Sequence, residues 1–174
     1  MSTEPTAPLD NRLLAGLPAR ELEQLLAGFT HTTLMLGQVL AEPNEPLENV
    51  YFPTGAFISL ITDTDGRRGL EVGMIGHEGM LGAFLALGVE QSPTHALVQK
   101  PGQALCMRTT DFRNRLRNCP ELRRILNRYL YVIIVQLGQT AACNRFHGIE
   151  ARLARWLLMT HDRARADDFF MTHE

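Results

Sequence analysis

The sequence predicts a mainly β domain with helices, an antiparallel sandwich or barrel that gives way to a long helix. Three observations predict it. Between His31 and Arg108 short apolar runs alternate with turn residues at a spacing of roughly 8–12 residues. After Arg108 the apolar residues switch to helical spacing and hold it for about 25 residues, nearly 38 Å of helix at 1.5 Å per residue. The chain of 174 residues is 45% hydrophobic and 21% charged, which fits an ordinary globular domain and excludes a disordered or low-complexity chain.

Residues 1–11 are polar, contain Pro5 and Pro8, and read as a flexible tail. Asn11 can cap a short helix over Arg12, Leu13, Leu14 and Ala15, because its side-chain oxygen accepts from the first free amides. A second helix follows Pro18, with Leu22, Leu25 and Leu26 on one face. Strands are predicted at 32–36, 38–41, 49–52, 56–62, 70–75, 95–99 and 103–108. The breaks between them fall at Gly37, at Pro43-Asn44-Glu45-Pro46, at Pro53-Thr54-Gly55 and at Lys100-Pro101-Gly102. Asp65-Gly66 is a hairpin signal, since glycine accepts positive φ without penalty.

Within the β region, glycines recur every third residue in Gly73, Gly76, Gly79 and Gly82, just before one helical turn over 83–87. Free amides at such a turn can hold an anion. A loop that uses glycine only to fold tightly has the same pattern, and residue spacing does not separate the two.

Thr110 or Asp111 can cap a helix over 112–117, and Pro120 suits the first position of the long helix that runs to about Arg145. From Tyr129 to Val135 that helix is apolar all round, which implies burial on every side. One face can cover the β domain. The opposite face needs a partner, most simply the same helix of a second copy, through Tyr129, Val132, Ile133, Gln136, Leu137 and Thr140. The alternative, one central helix in a larger monomeric core, needs more chain around it. A further helix is expected at 148–163, burying Ile149, Leu153, Trp156, Leu157 and Thr160 and leaving Arg152 and Arg155 outside, and a short strand at 167–171.

Charge divides unevenly. The first hundred residues carry 5 Lys and Arg against 12 Asp and Glu, and the remaining 74 carry 12 against 7. The basic second half fits an anionic neighbour, or arginines that solvate exposed helix faces. The seven-residue apolar run at 129–135 is too short to cross a bilayer, and the N-terminus lacks the basic and apolar regions of a signal peptide, so no membrane partner and a cytoplasmic location are expected.

Catalytic patterns are missing. Six histidines, at positions 31, 77, 95, 147, 161 and 173, form neither H-x-H nor H-E-x-x-H, and Cys106, Cys119 and Cys143 are widely spaced. There is no G-x-S-x-G elbow and no P-loop. A binding protein without catalytic or metal-ligating residues is expected; a metal-dependent β-barrel enzyme is the rival that a metal analysis would reveal.

The ordered set of features resembles the Crp/Fnr family of bacterial transcription regulators. It comprises Val50-Tyr51-Phe52-Pro53-Thr54-Gly55-Ala56, the glycine stretch 76–82, Phe112-Arg113 with Cys119-Pro120 before the long helix, and Ala151-Arg152-Leu153-Ala154-Arg155-Trp156-Leu157-Leu158. The likeness covers roughly residues 12–174. It implies a jelly-roll, double-stranded β-helix domain of the cyclic-nucleotide-binding kind over 12–119 and a dimerisation helix over 120–146. It also implies the start of a winged-helix DNA-binding domain over 147–174, with Thr172 capping the first helix of a helix-turn-helix. The recognition helix would come next, so DNA binding is expected through a part that this sequence lacks.

The resemblance also implies a ligand site. Cyclic-AMP-binding members hold the ribose with a Glu after a glycine, the phosphate with an Arg, and adenine with a Thr-Ser pair on the long helix. The matching positions here are Ala83, Thr94 (or Pro93) and Leu137-Gly138. With no Arg the charge-assisted phosphate contact is gone, so cAMP is not expected to bind and no cofactor is expected. The implied pocket, formed by Gly82, Ala83, Phe84, Thr94, His95, Leu97 and the middle of the long helix including Leu137, suits an uncharged or lipid-like effector, or none. The expected function is the effector-sensing and dimerisation region of a transcription regulator; the alternative is a stand-alone ligand-binding module that acts on a protein partner.

Overall fold

A computed structural model of the chain describes residues 10–64 and 67–164. The Asp65-Gly66 turn, the strand expected at 167–171, the Thr172 cap and most of the expected tail lie outside the described residues. Asn11, read as the end of that tail, is instead fully buried. Its side chain accepts from the amides of Leu13 and Leu14 and donates to the carbonyls of Pro53 (3.0 Å) and Gly79 (2.9 Å). It therefore caps α1 (Arg12–Ala15) and ties that helix to two distant segments. Helix α2 (Ala19–Leu26) buries Leu25 and packs Leu22 and Leu26 against the core, on the face the sequence predicts.

All seven expected strands form: β1 (Thr30–Leu34), β2 (Val39–Ala41), β3 (Asn49–Pro53), β4 (Phe57–Thr64), β5 (Arg67–Ile75), β6 (His95–Lys100) and β7 (Gly102–Arg108). They build two antiparallel sheets, ordered β1-β7-β3 and β2-β6-β4-β5, which share one core without closing into a single barrel. Alternation decides which side chains enter it. Val50 and Phe52 on β3, Ile58 on β4, and Ala96 and Val98 on β6 are fully buried, and Phe52 stacks edge-on with Phe29 at 5.2 Å between ring centroids.

Helix α3 (Thr109–Asn118) begins three residues earlier than expected. Thr110 and Asp111 sit in its first turn rather than capping it, because the Thr109 amide is taken by the Glu48 carbonyl at 2.9 Å, which starts the helix directly at the end of β7. Pro120 then opens α4 (Pro120–Phe146), a single helix of 27 residues. Leu122, Leu126 and Tyr129 bury one side of it, while Tyr131 and Ile134 on the other side are 68% and 66% exposed. No helix among the described residues is long and apolar enough to cross a membrane.

Helix α5 (Ile149–Ala164) departs from its expected stripe. Ile149 is 80% exposed and Leu153 is also exposed, so neither is a buried anchor. The helix is fastened to β5 through its second half, where Thr160 and Arg163 are buried and the Trp156 ring nitrogen reaches Glu71.

Candidate functional site

A cavity of about 190 Å³ lies between the β5–β6 sheet, the turn after Gly82 and the inner face of α4. Gly82 opens the one-turn 3-10 helix Ala83–Leu87 with φ 101°, in the left-handed region. A Cβ there would also stand 2.8 Å from both Leu47 and Val50. Glycine is thus required twice at this point, for its backbone angle and for the close approach. The turn presents Ala83 and Phe84 to the cavity, and Thr94 enters it from the start of β6. Helix α4 closes the other side with Tyr129, Ile133, Gln136, Leu137 and Thr140.

No side chain lining this cavity carries a formal charge. Several of its polar groups already have partners. Ser92 donates to the Thr94 carbonyl (2.7 Å), Thr140 donates to the Gln136 carbonyl (2.9 Å), and the Gln136 side-chain oxygen accepts from Arg163 (3.4 Å). Burial, with Glu78 nearby, pushes the Tyr129 phenol above its ordinary value, so it stays neutral. Three amides of the glycine loop are used in tight-turn and cross-strand bonds. The amides of Gly76, Gly79 and Leu81 bond within the chain, to Glu78, to the Gly76 carbonyl and to the Tyr51 carbonyl. An anion would have to displace those bonds and would meet no cation inside.

Of the residues expected to bind a ligand, Gly82, Ala83, Phe84, Thr94 and Leu137 come together here. His95 and Leu97 do not. Strand alternation places them on the face opposite Ala96 and Val98. The two ring nitrogens of His95 are held by Glu42 (2.5 Å) and Asp63 (2.8 Å), and those bonds, Asp63 first, raise its pKa. Of the six residues assigned from sequence to a dimer face, Tyr129, Ile133, Gln136 and Thr140 turn onto the chain's own β domain, and Val132 and Leu137 are exposed. The uncovered side of α4 centres on Tyr131, Ile134 and Val135, flanked by Val132, while Leu137 is part exposed and also lines the cavity.

A second hollow of about 340 Å³ opens beside the first, between β5, α5 and the end of α4. Sequence reasoning missed the polar contacts that fasten α5 there. Trp156 donates to Glu71 (2.8 Å), which also accepts from Ser59 (2.5 Å), and burial raises the Glu71 pKa. Arg163 is only 7% exposed. Its guanidinium pairs with Glu78 at 2.9 Å and donates to the carbonyls of Met74 (3.3 Å) and Met159 (3.0 Å). The signal was available: Trp156, Thr160 and Arg163 follow the three- and four-residue spacing of one helix face.

No family model matches the sequence, and no curated protein matches it. Solved structures do. The c-di-GMP responsive global regulator CLP of Xanthomonas campestris matches with a TM-score of 0.70 at 15% identity, over 90% of this chain and 76% of that one. The catabolite activator protein of Thermus thermophilus matches at 0.60 and 16% identity, over 87% of this chain and 65% of that one. The N-terminal domain of a transcriptional regulator from Streptomyces coelicolor A3(2) matches at 0.55 and 19% identity, over 95% and 98%. This chain has the cyclic-nucleotide-binding jelly-roll fold of the Crp/Fnr-type regulators. Within that Crp/Fnr-type fold, the inner cavity and α4 stand where the resemblance of the sequence implied a ligand pocket and a long helix. The chemistry of the lining is this chain's own.

Proposed function

We propose that the chain is the effector-sensing and dimerisation region of a cytoplasmic DNA-binding transcription regulator of the Crp/Fnr type, with a pocket that takes a ligand other than cAMP. The observation that carries this reading is that α4 serves two surfaces at once. Its inner face closes the uncharged cavity, and its outer face leaves Tyr131, Ile134 and Val135 exposed in one stretch. Burying each such side chain is worth about 1.5–3 kcal/mol, so a second α4 laid along the first offsets the entropy of association. A ligand that moves the inner face then shifts the helix on which the dimer is built. DNA recognition is assigned to a helix-turn-helix downstream of the described residues, next to the arginine-rich half of the chain.

A cyclic nucleotide fits poorly because its phosphodiester would be buried without a cation, and an unpaired buried charge is strongly disfavoured. The role is binding, not catalysis. Light scattering with calorimetric titration of cAMP and cGMP tests both halves of the reading. A dimer with no nucleotide heat is expected. A monomer at high micromolar protein overturns the dimer, and stoichiometric micromolar cAMP binding overturns the pocket.

A further inference from the structure

The inner cavity and the outer hollow share a wall. Val72, Gly73, Met74, Thr140 and Met159 line both. Two of these five are methionines, whose unbranched side chains rotate and repack at low cost, and Gly73 contributes no side chain. The inner cavity is apolar and uncharged. The outer hollow opens to solvent and is lined by Arg152 and Arg155, neither of which makes an ion pair among the described residues. Arg155 reaches the shared wall itself, donating to the Thr140 hydroxyl at 3.5 Å. Glu71, the acid in the hollow, is occupied by Trp156 and Ser59.

Resting on the reading of the inner cavity as an effector site, the geometry points to a medium-chain carboxylic acid as the ligand. Its apolar tail fills the inner cavity, passes Met74 and Met159, and leaves the carboxylate on the guanidinium groups of Arg152 and Arg155. Volumes of about 190 and 340 Å³ together lie in the range of about 300–1,000 Å³ usual for small-molecule sites. Both parts are needed. Nothing inside the cavity holds a head group, and nothing at the arginines alone selects a chain.

Trp156, the only tryptophan, lines the outer hollow, so its fluorescence reports the ligand directly. The chain is titrated with octanoate, decanoate, dodecanoate and decanol, below their micellar ranges, and with cAMP. Affinity for the acids is expected to rise about fourfold per added methylene. The paired substitution Arg152→Gln and Arg155→Gln is expected to weaken decanoate about tenfold or more and to leave decanol unchanged. Ala83→Leu, which narrows the inner cavity, is expected to weaken acid and alcohol alike, with circular dichroism checking the fold. Acid and alcohol binding equally, both indifferent to the arginines, overturns the anionic head while leaving the apolar effector pocket in place. No binding of any of these, cAMP included, overturns the amphiphile alone. Binding of cAMP in their stead overturns both the amphiphile and the pocket reading beneath it.

Discussion

Replacing Arg163 with methionine removes a charge from a place where little water can replace it. The aliphatic stem of Arg163 lies over Gly76, so close that a Cβ on Gly76 would be 2.8 Å from the Arg163 Cβ. The guanidinium neutralises Glu78, whose side chain is 24% exposed and whose second carboxylate oxygen has no partner among the described residues. Methionine keeps the apolar stem but leaves Glu78 unpaired and the acceptors at Met74, Met159 and Gln136 without their donor. Breaking a buried pair from one side costs about 3–5 kcal/mol. The partial exposure of Glu78 favours the lower end, about 3 kcal/mol. For a chain of this size that corresponds to a melting point lower by about 6–12 °C. The double variant with Glu78→Gln keeps the Gly76 amide bonded and no longer holds an unpaired charge, so it should recover about 2 kcal/mol. Urea unfolding with linear extrapolation measures the cycle. Amide exchange along α5 shows whether the loss appears as local detachment of that helix. A single-variant cost below about 1 kcal/mol with unchanged α5 protection would refute the reasoning, as would a double variant that simply adds the two losses.

Gly82→Ala should cost about 2–4 kcal/mol, from positive φ and from contact with Leu47 and Val50; Gly37→Ala, with positive φ but open space around it, should cost about 1 kcal/mol. Equal shifts in the urea midpoint would show that Gly82 meets no packing limit. Glu71 has a raised pKa, so the native state holds its proton more tightly than the unfolded chain does. Its ionisation therefore lowers stability as pH rises from its ordinary value through the raised one. Glu71→Gln should flatten that loss and match or exceed the wild type near neutral pH, whereas Glu71→Leu strands Trp156 and Ser59 and should cost about 1–3 kcal/mol. Chemical unfolding of both variants on either side of that window checks the order. His95, raised by Asp63 and then Glu42, contributes stability in full below about 6.5 and loses it as pH climbs through the raised value, provided the two carboxylates stay ionised. A pH series of melting points should show a flatter profile for His95→Gln above neutrality; a profile parallel to the wild type would contradict it.

The strands were legible because each is a short run closed by glycine, proline or an acidic turn residue, and that chemistry acts locally. Sheet order was not, because the pairing of Thr30 with Cys106 depends on everything between them. On α4 the periodicity failed where it mattered. With apolar residues all round from Tyr129 to Val135, no stripe distinguishes the side that meets the sheet from the side that meets solvent. Spacing alone therefore does not tell that Tyr129 and Ile133 line the inner cavity. Thr94 and His95 are neighbours in sequence, yet the pleat sends adjacent side chains to opposite faces. The anchors of α5 escaped because a charged residue reads as surface until its partner is known, and Glu78 lies 85 residues before Arg163 in the chain.

Strand β7 has its own bearing on how the protein is made. It is the middle strand of its sheet, hydrogen-bonded to β1 on one edge and β3 on the other. Neither neighbour can pair there until Gly102–Arg108 has left the ribosome. During synthesis β1 and β3 therefore wait as unpaired edges while some fifty residues or more are added, and such edges invite association with other chains. The sheet β2-β6-β4-β5 has a head start, since β4 and β5 are joined in sequence and can form a hairpin at once. A nascent chain halted before residue 102 should carry that hairpin, lack the other sheet, and depend on chaperones more than the finished one.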